Sequence, residues 1–310
     1  MKPILVTSYV SPDLDGLASA VAYAEYLGKT GVEAVVGLLG EPSEESQYTL
    51  DRFGLDTPTT ISDTDGFERI VLADASDLSG LEGKVEPGKV VTIIDHRAVN
   101  GAAEFPNADV QIELVGAAAT LVTEKFFKVG LAISVRSAIL IQAAIISNTL
   151  NFKAAVTTDR DREVSEKLGK IVPLPNDFWR DLFLAKSDLS GDKLAKKIHD
   201  DFASFELGGK KVGIAQIEMI GAEALARDRT GETVRVLDEI REYGAFDHVF
   251  QNTIELESPR NYLVASDDDT KRLLETALDV TFSGEVAERL APLMRKQIVP
   301  LLKAVLEQRN

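Results

Sequence analysis

Short apolar runs and amphipathic segments alternate over the first half of the chain. Four- to five-residue runs rich in Ile, Val, Leu and Ala occupy 4–7, 34–38, 70–73, 90–94 and 110–114. Between and after them, apolar residues recur at helical spacing over 17–27, 44–53, 118–129 and 135–146. This order predicts strands and helices in turn, hence a doubly wound, mostly parallel α/β sheet. Residues 131–150 are apolar on nearly every side and predict a buried helix. Helices are also expected over 158–168 and 176–184.

The stretch Ser187-Asp188-Leu189-Ser190-Gly191-Asp192 is polar and contains Gly, which marks a linker. The expected organisation is a first domain over 1–186, a linker over 187–193 and a second domain over 194–310. In the second domain the pattern predicts a helix over 194–205, a strand over 211–217 and a long helix near 222–243. Segment 245–257 follows, and a strand over 260–265 is expected to pair back on 252–257 through a turn at Ser258-Pro259. Residues 286–308 read as a helical segment interrupted near Pro300. That order predicts an α+β domain around a small mixed sheet.

The length of 310 residues agrees with two domains, and 45% hydrophobic residues are enough for a normal core. A net charge of -16 argues against a nucleic-acid polymer as partner, because such binding needs basic patches. It permits a small phosphorylated substrate, since a bound cation reverses the local sign. The absence of cysteine excludes disulfides, thiolate nucleophiles and zinc–thiolate sites. No charged-then-apolar leader opens the chain, and the longest apolar stretch, 138–146, contains Gln142 and is too short to span a bilayer. A cytoplasmic protein without membrane contact is expected.

Candidate chemistry sits where predicted strands end. After 4–7 comes Ser11-Pro12-Asp13-Leu14-Asp15-Gly16, with two carboxylates at the carboxyl end of a strand, where open α/β sheets bind ligands. Alone, this pair fits helix capping as well as metal binding. The run 70–73 ends in Asp74, and 90–94 ends in Asp95-His96-Arg97. Three strands that deliver acids, one with a His, to the same edge of a sheet favour a binuclear metal site over chance capping.

Taken in order, Ser11-Pro12-Asp13-Leu14-Asp15, Asp74, Asp95-His96-Arg97 and Ser147-Asn148-Thr149-Leu150 resemble the motifs of the DHH phosphoesterase superfamily. The chain is similar over almost its whole length to manganese-dependent (family II) inorganic pyrophosphatases and prune-type exopolyphosphatases. Residues 209–216 resemble the opening strand of that family's second, DHHA2-type domain, and 295–300 resemble its basic substrate motif. The resemblance implies a divalent-metal-dependent hydrolase of phosphoanhydride bonds, acting on pyrophosphate or short polyphosphate between two domains. It implies one or two ions of Mn²⁺, or of Mg²⁺ or Co²⁺, with Asp13, Asp15, Asp74 and His96 as ligands and Asp74 as the bridge. Asp95 would orient His96 or support it from behind. Arg97, Lys210 or Lys211, Arg295 and Lys296 would meet the phosphates, and a homodimer through the first domain's sheet edge is implied.

The chain departs from the family pattern on its metal and phosphate edge. Tyr9 stands where a His ligand is expected, Arg97 where a second His is, and Met294 where the basic motif has Arg. Asn148 replaces an acid and offers only a weakly ligating carbonyl oxygen. Arg97 would contact a phosphate oxygen bidentately, or pair with a local carboxylate. These departures leave two other readings open: a phosphodiesterase on a nucleotide-like substrate, and a degenerate protein of the same fold that binds phosphate ligands without turnover. Among the remaining candidates, His199 reads as a solvated helix position, and His248 as a surface strand residue with some chance of approaching the site. Asp267 reads as a helix cap, and Asp159, Asp161 and Arg162 as a solvated helix face.

Overall fold

The computed structural model of the chain describes residues 2–98 and 100–308. These form two units, Met1–Ala185 and Lys186–Asn310. In the first, the strands are β1 (Ile4–Thr7), β2 (Ala34–Leu38), β3 (Thr59–Thr60), β4 (Ile70–Ala73), β5 (Val90–Asp95) and β6 (Asp109–Ile112). The helices are α1 (Leu14–Lys29), α2 (Glu44–Phe53), α3 (Ala118–Val129), α4 (Val135–Asn148), α5 (Asp159–Gly169) and α6 (Phe178–Lys186). The six strands pair in the order β3-β2-β1-β4-β5-β6, parallel throughout. The order reverses between β1 and β4, where Leu5 pairs with Ile70 and Val6 with Val71. At such a switch point the loops leaving two neighbouring strands turn to opposite faces and leave a crevice at the carboxyl ends.

The central strands β1 and β4 are buried on both sides, as their continuous apolar runs require. Alternate residues serve opposite layers. Ile4, Val6, Val71, Ala73 and Ile94 pack against α1, α3 and α4 through Leu17, Leu121 and Leu140. Leu5, Ile70, Leu72 and Ile93 face the other way, under Leu81, Val85 and Phe105. The expected buried helix over 131–150 begins only at Val135, because Ser134 caps it and residues 131–134 form the connection from α3.

The second unit begins within α6 and adds α7 (Lys193–Asp200), β7 (Phe202–Leu207), β8 (Lys210–Met219), α8 (Ala222–Asp228), α9 (Thr230–Gly244), β9 (His248–Glu255) and β10 (Arg260–Val264). It closes with α10 (Asp268–Leu278), β11 (Phe282–Ser283), β12 (Val286–Leu290) and α11 (Arg295–Gln308). Its sheet, β11-β12-β10-β9-β8-β7, is mixed, with parallel pairing only between β8 and β9. The segment 187–193 is placed with this unit, where Leu189 is buried beside Leu194 and Ile198.

Three sequence expectations give way here. The helix expected over 194–205 stops at Asp200, and Phe202–Leu207 becomes an edge strand whose partner, β8, lies beyond the reach of local pattern. The long helix near 222–243 breaks at Arg229, which leaves helical φ/ψ while its guanidinium binds Glu232 and the Leu189 carbonyl. Residues 286–290 form β12, with Tyr262 opposite Glu288. Ala291, at φ 63°, and Pro292 then turn the chain, and Pro300 lies inside α11 without ending it. The turn at Ser258-Pro259 does join β9 to β10, and Asp267 does cap α10 through Thr270 N–H.

Candidate metal centre

The site grows from the ends of β1, β4 and β5 at the switch point. Past β1, the turn closes on Asp13, which caps α1 by accepting from Gly16 N–H at 2.9 Å. A Cβ at Gly16 would lie 2.4 Å from Ser8 Oγ, so glycine lets the helix start close against the strand end. Asp15, in the first turn of α1, is wholly buried and reaches across to α3. It accepts from the amides of Ala118 at 2.7 Å and Ala119 at 2.9 Å. A helix's first N–H groups have no partner within the helix and carry partial positive charge. α3 has no side-chain cap from its own N-cap residue, Ala117, and Asp15 takes that role.

Asp74 follows β4 at φ 60°, a left-handed conformation that a short polar side chain tolerates better than a branched one. Its N–H donates to Ile94 O at 2.7 Å, which keeps the turn on the parallel ladder. The carboxylate is buried, and Oδ1 has no hydrogen-bond partner. On β5, Asp95 accepts from the His96 N–H at 2.6 Å and from the Ser76 hydroxyl. His96 Nδ1 lies 2.9 Å from Val115 O. A carbonyl only accepts, so Nδ1 carries a proton and Nε2 is the ring nitrogen turned to the site. Nε2 lies 3.5 Å from Asp74 Oδ1 and 3.7 Å from Asp15 Oδ2. One ligand atom from each of Asp15, Asp74 and His96 falls within 4.8 Å of the others.

Electrostatics marks the same point. Burial raises the Asp74 carboxyl well above the usual carboxylate range, and the charges of Asp15 and Asp13 add to it while Arg97 opposes. Burial likewise pushes Asp15 up to about 6, opposed by His96 and assisted by Asp13. An unpartnered buried oxygen costs roughly 1–3 kcal/mol, and more when charged. Two hard oxygens and an imidazole nitrogen, facing one another without a counter-charge between them, fit a divalent cation such as Mn²⁺, Mg²⁺ or Co²⁺.

Arg97 lies on the far side of Asp74. Its Nη2 donates to Asp74 O at 3.3 Å and sits 3.9 Å from Asp74 Oδ2, and Nη1 sits 3.9 Å from Asp95 Oδ2. The guanidinium stands over the Tyr9 ring, 5.2 Å from its centre. The Tyr9 hydroxyl bonds Asp13, whose charge, after burial, raises the phenol pKa.

Asn148, at the end of α4, turns its amide to Asp15 Oδ2 at 2.8 Å and so stands as a donor to a ligand carboxylate. In the second unit, Lys210 pairs with Asp247 at 2.9 Å, and Lys211 donates to Gly244 O at 2.7 Å and lies over the Phe246 ring. Arg295 pairs with Asp201 at 2.6 Å and donates to the Asp201 carbonyl. Lys296 is exposed on the first turn of α11. His248 is buried against Thr270, with Nδ1 3.0 Å from the hydroxyl, and burial lowers its pKa.

Sequence reasoning misread Asp161. Expected on a solvated face, it is wholly buried, and it forms a capping box with Thr158. It also accepts from Gly116 N–H at 2.8 Å and the Thr120 hydroxyl at 2.7 Å. Gly116 adjoins Val115, so Asp161 braces the carbonyl that orients His96. The Thr-x-x-Asp spacing signals the cap, but nothing local signals the reach to Gly116. Ser76, two residues past Asp74, was also missed.

The model of the DHH family, N-terminal domain, matches residues 3–145, and that of the DHHA2 domain matches residues 180–305. The manganese-dependent inorganic pyrophosphatase of Methanocaldococcus jannaschii is 31% identical over 310 residues, 96% of this chain and 97% of that protein. That of Methanothrix thermoacetophila is 31% identical over 228 residues, 73% of each chain. A crystal structure assigned to a family II inorganic pyrophosphatase of Methanococcus jannaschii matches with a TM-score of 0.71 at 29% identity, covering 98% of this chain and 99% of that one.

Proposed function

The chain belongs to the family of the manganese-dependent inorganic pyrophosphatases, built from DHH and DHHA2 domains, and from that premise we propose that it hydrolyses a phosphoanhydride bond, in pyrophosphate or short polyphosphate, with a divalent cation. The observation that carries this reading is the buried, unpartnered Asp74 Oδ1 facing His96 Nε2, with Asp15 beside them. Asp15, Asp74 and His96 are the residues that would hold Mn²⁺, or Mg²⁺ or Co²⁺ in its place. When bound, such an ion supplies positive charge that acidifies water and polarises a phosphoryl oxygen.

The chain's own residues do the rest. Val115 O and Asp95 hold the His96 ring and backbone, so its Nε2 needs no reorganisation on binding. Arg97 presents a planar fork suited to phosphoryl oxygens and to the charge that grows on them during transfer. Lys296 would add a phosphate contact. Lys210, Lys211 and Arg295 would exchange their present partners to make one. In the overall reaction a water oxygen forms a bond to phosphorus, the bridging P–O bond breaks, and the two phosphates leave with the water's protons.

The test is phosphate release from pyrophosphate and from tripolyphosphate, with Mn²⁺ and with a chelator, beside the Asp74→Asn variant. Release that needs the metal and falls by about 10²–10³-fold in the variant is expected, the scale of losing a group that stabilises transition-state charge. Release that survives both chelation and the substitution overturns the proposal.

A further inference from the structure

We propose that Arg97, stacked on Tyr9, is a built-in counter-charge that confines this site to a single divalent cation held by Asp15, Asp74 and His96. The inference rests on the preceding reading that the site binds a metal at all.

The two oxygens of Asp74 face different company. Oδ1 is unpartnered and looks toward His96 Nε2. Oδ2 looks toward the Arg97 guanidinium, 3.9 Å away. That guanidinium is not a loose surface charge. It donates to the Asp74 carbonyl, approaches Asp95 Oδ2 and covers the Tyr9 ring. A guanidinium keeps its proton at any working pH, and on an aromatic face it gains cation–π attraction.

Asp13 accepts from the Gly16 amide on Oδ1 and also takes the Tyr9 hydroxyl. Asp95 accepts from the His96 amide and the Ser76 hydroxyl. Accepting hydrogen bonds does not by itself bar a ligand, since Asp15 also accepts on both oxygens. A second ion on this side of Asp74 would lack a nitrogen ligand and meet the Arg97 guanidinium instead. Tyr9 offers no imidazole nitrogen. The ion would also stand against a fixed positive charge. Among the described residues, Asp15, Asp74 and His96 are the one group of three His or acid side chains whose ligand atoms converge. With its side chain 37% exposed, Arg97 keeps N–H groups for an anionic ligand and so can offer substrate the charge that a second ion would otherwise bring.

The experiment titrates Mn²⁺ into the metal-free full-length protein, counts bound metal per chain after equilibrium dialysis, and records the Mn²⁺ electron paramagnetic resonance spectrum. One Mn²⁺ per chain, with the hyperfine pattern of an isolated ion, is expected. Two per chain with an exchange-coupled spectrum overturns the inference and leaves the metal-site reading standing. No bound Mn²⁺ overturns both. A second arm uses Tyr9→His combined with Arg97→His, which removes the charge and adds ring nitrogens. Its stoichiometry is expected to rise to two. A folded double variant that still binds one ion overturns the role given to Arg97. The wild-type count is decisive even if the variant fails to fold.

Discussion

At the scale of single residues, the centre depends on side chains that never face the cation. Asp95 holds His96 by its backbone amide, while the ring is held by a main-chain carbonyl. Its own oxygens are turned to Ser76 and to the chain, so its part is positioning. Asp95→Asn keeps the shape but removes a charged acceptor that is wholly buried. Supports of this kind typically govern metal affinity by about 10–100-fold. Calorimetric titration of Mn²⁺ is expected to show a loss of that order with an unchanged far-UV circular dichroism spectrum. An unaltered Kd would show that the His96 amide needs no such anchor. Asp13 and Asp15, two positions apart, divide the two roles that the sequence left open. Asp13 caps its own helix, whereas Asp15 serves another helix and the centre together.

At the scale of elements, the loop before α3 is where the site is braced. A Cβ on Gly116 would fall 2.5 Å from Thr149 Cγ2 and 2.8 Å from Asp161 Oδ2. Neither neighbour can yield, since both are buried and hydrogen-bonded. Gly116→Ala is therefore expected to lower stability by about 1–3 kcal/mol, the range for overpacking, and to weaken Mn²⁺ binding by displacing Val115 O. Chemical denaturation and metal titration of the same variant check the two effects, and an alanine variant as stable as wild type would contradict the packing account. Such couplings explain what could be read beforehand. β1, β2, β4, α2 and α3 were legible because burial on both faces, or one clear apolar stripe, writes itself into a run of adjacent residues. Asp74, Asp95 and His96 were legible because a strand end is a local feature. β7, β12 and the break at Arg229 were not, because partners distant in sequence decide them. Asp161 was hidden for the same reason, since its four-residue cap is local and its burial is not.

At the scale of the whole molecule, the buried carboxylates make stability depend on both protons and metal. Asp15 sits at about 6 in the folded chain against an ordinary value of 3.8. Between those values the folded state holds a proton that the unfolded state has released. Without a cation, the contribution of this group therefore falls as pH rises through the window and is gone above it. Asp74 shifts in the same direction. A divalent cation takes only the ionised carboxylates, so its stabilisation grows over the same range. The rise in Tm on adding Mn²⁺ is expected to be small near about pH 5 and several degrees near about pH 7.5, from roughly 2.7 kcal/mol at a hundredfold excess over Kd and about 2–4 °C per kcal/mol. Differential scanning fluorimetry with and without Mn²⁺ at the two pH values decides it, and an equal shift at both would remove Asp15 and Asp74 from the ligand set.

The hydrogen bonds from Ala118 and Ala119 to Asp15 join positions 103 and 104 residues apart. During synthesis, Asp15, Asp74 and His96 are all added to the chain before the residues whose amides aim the first of them. Closing so long a loop is slow and entropically costly until other contacts have formed. The capacity to hold an ion thus comes late in the birth of the N-terminal unit. A nascent chain halted before residue 118 carries all three ligands yet lacks the helix end that keeps Asp15 turned toward the other two.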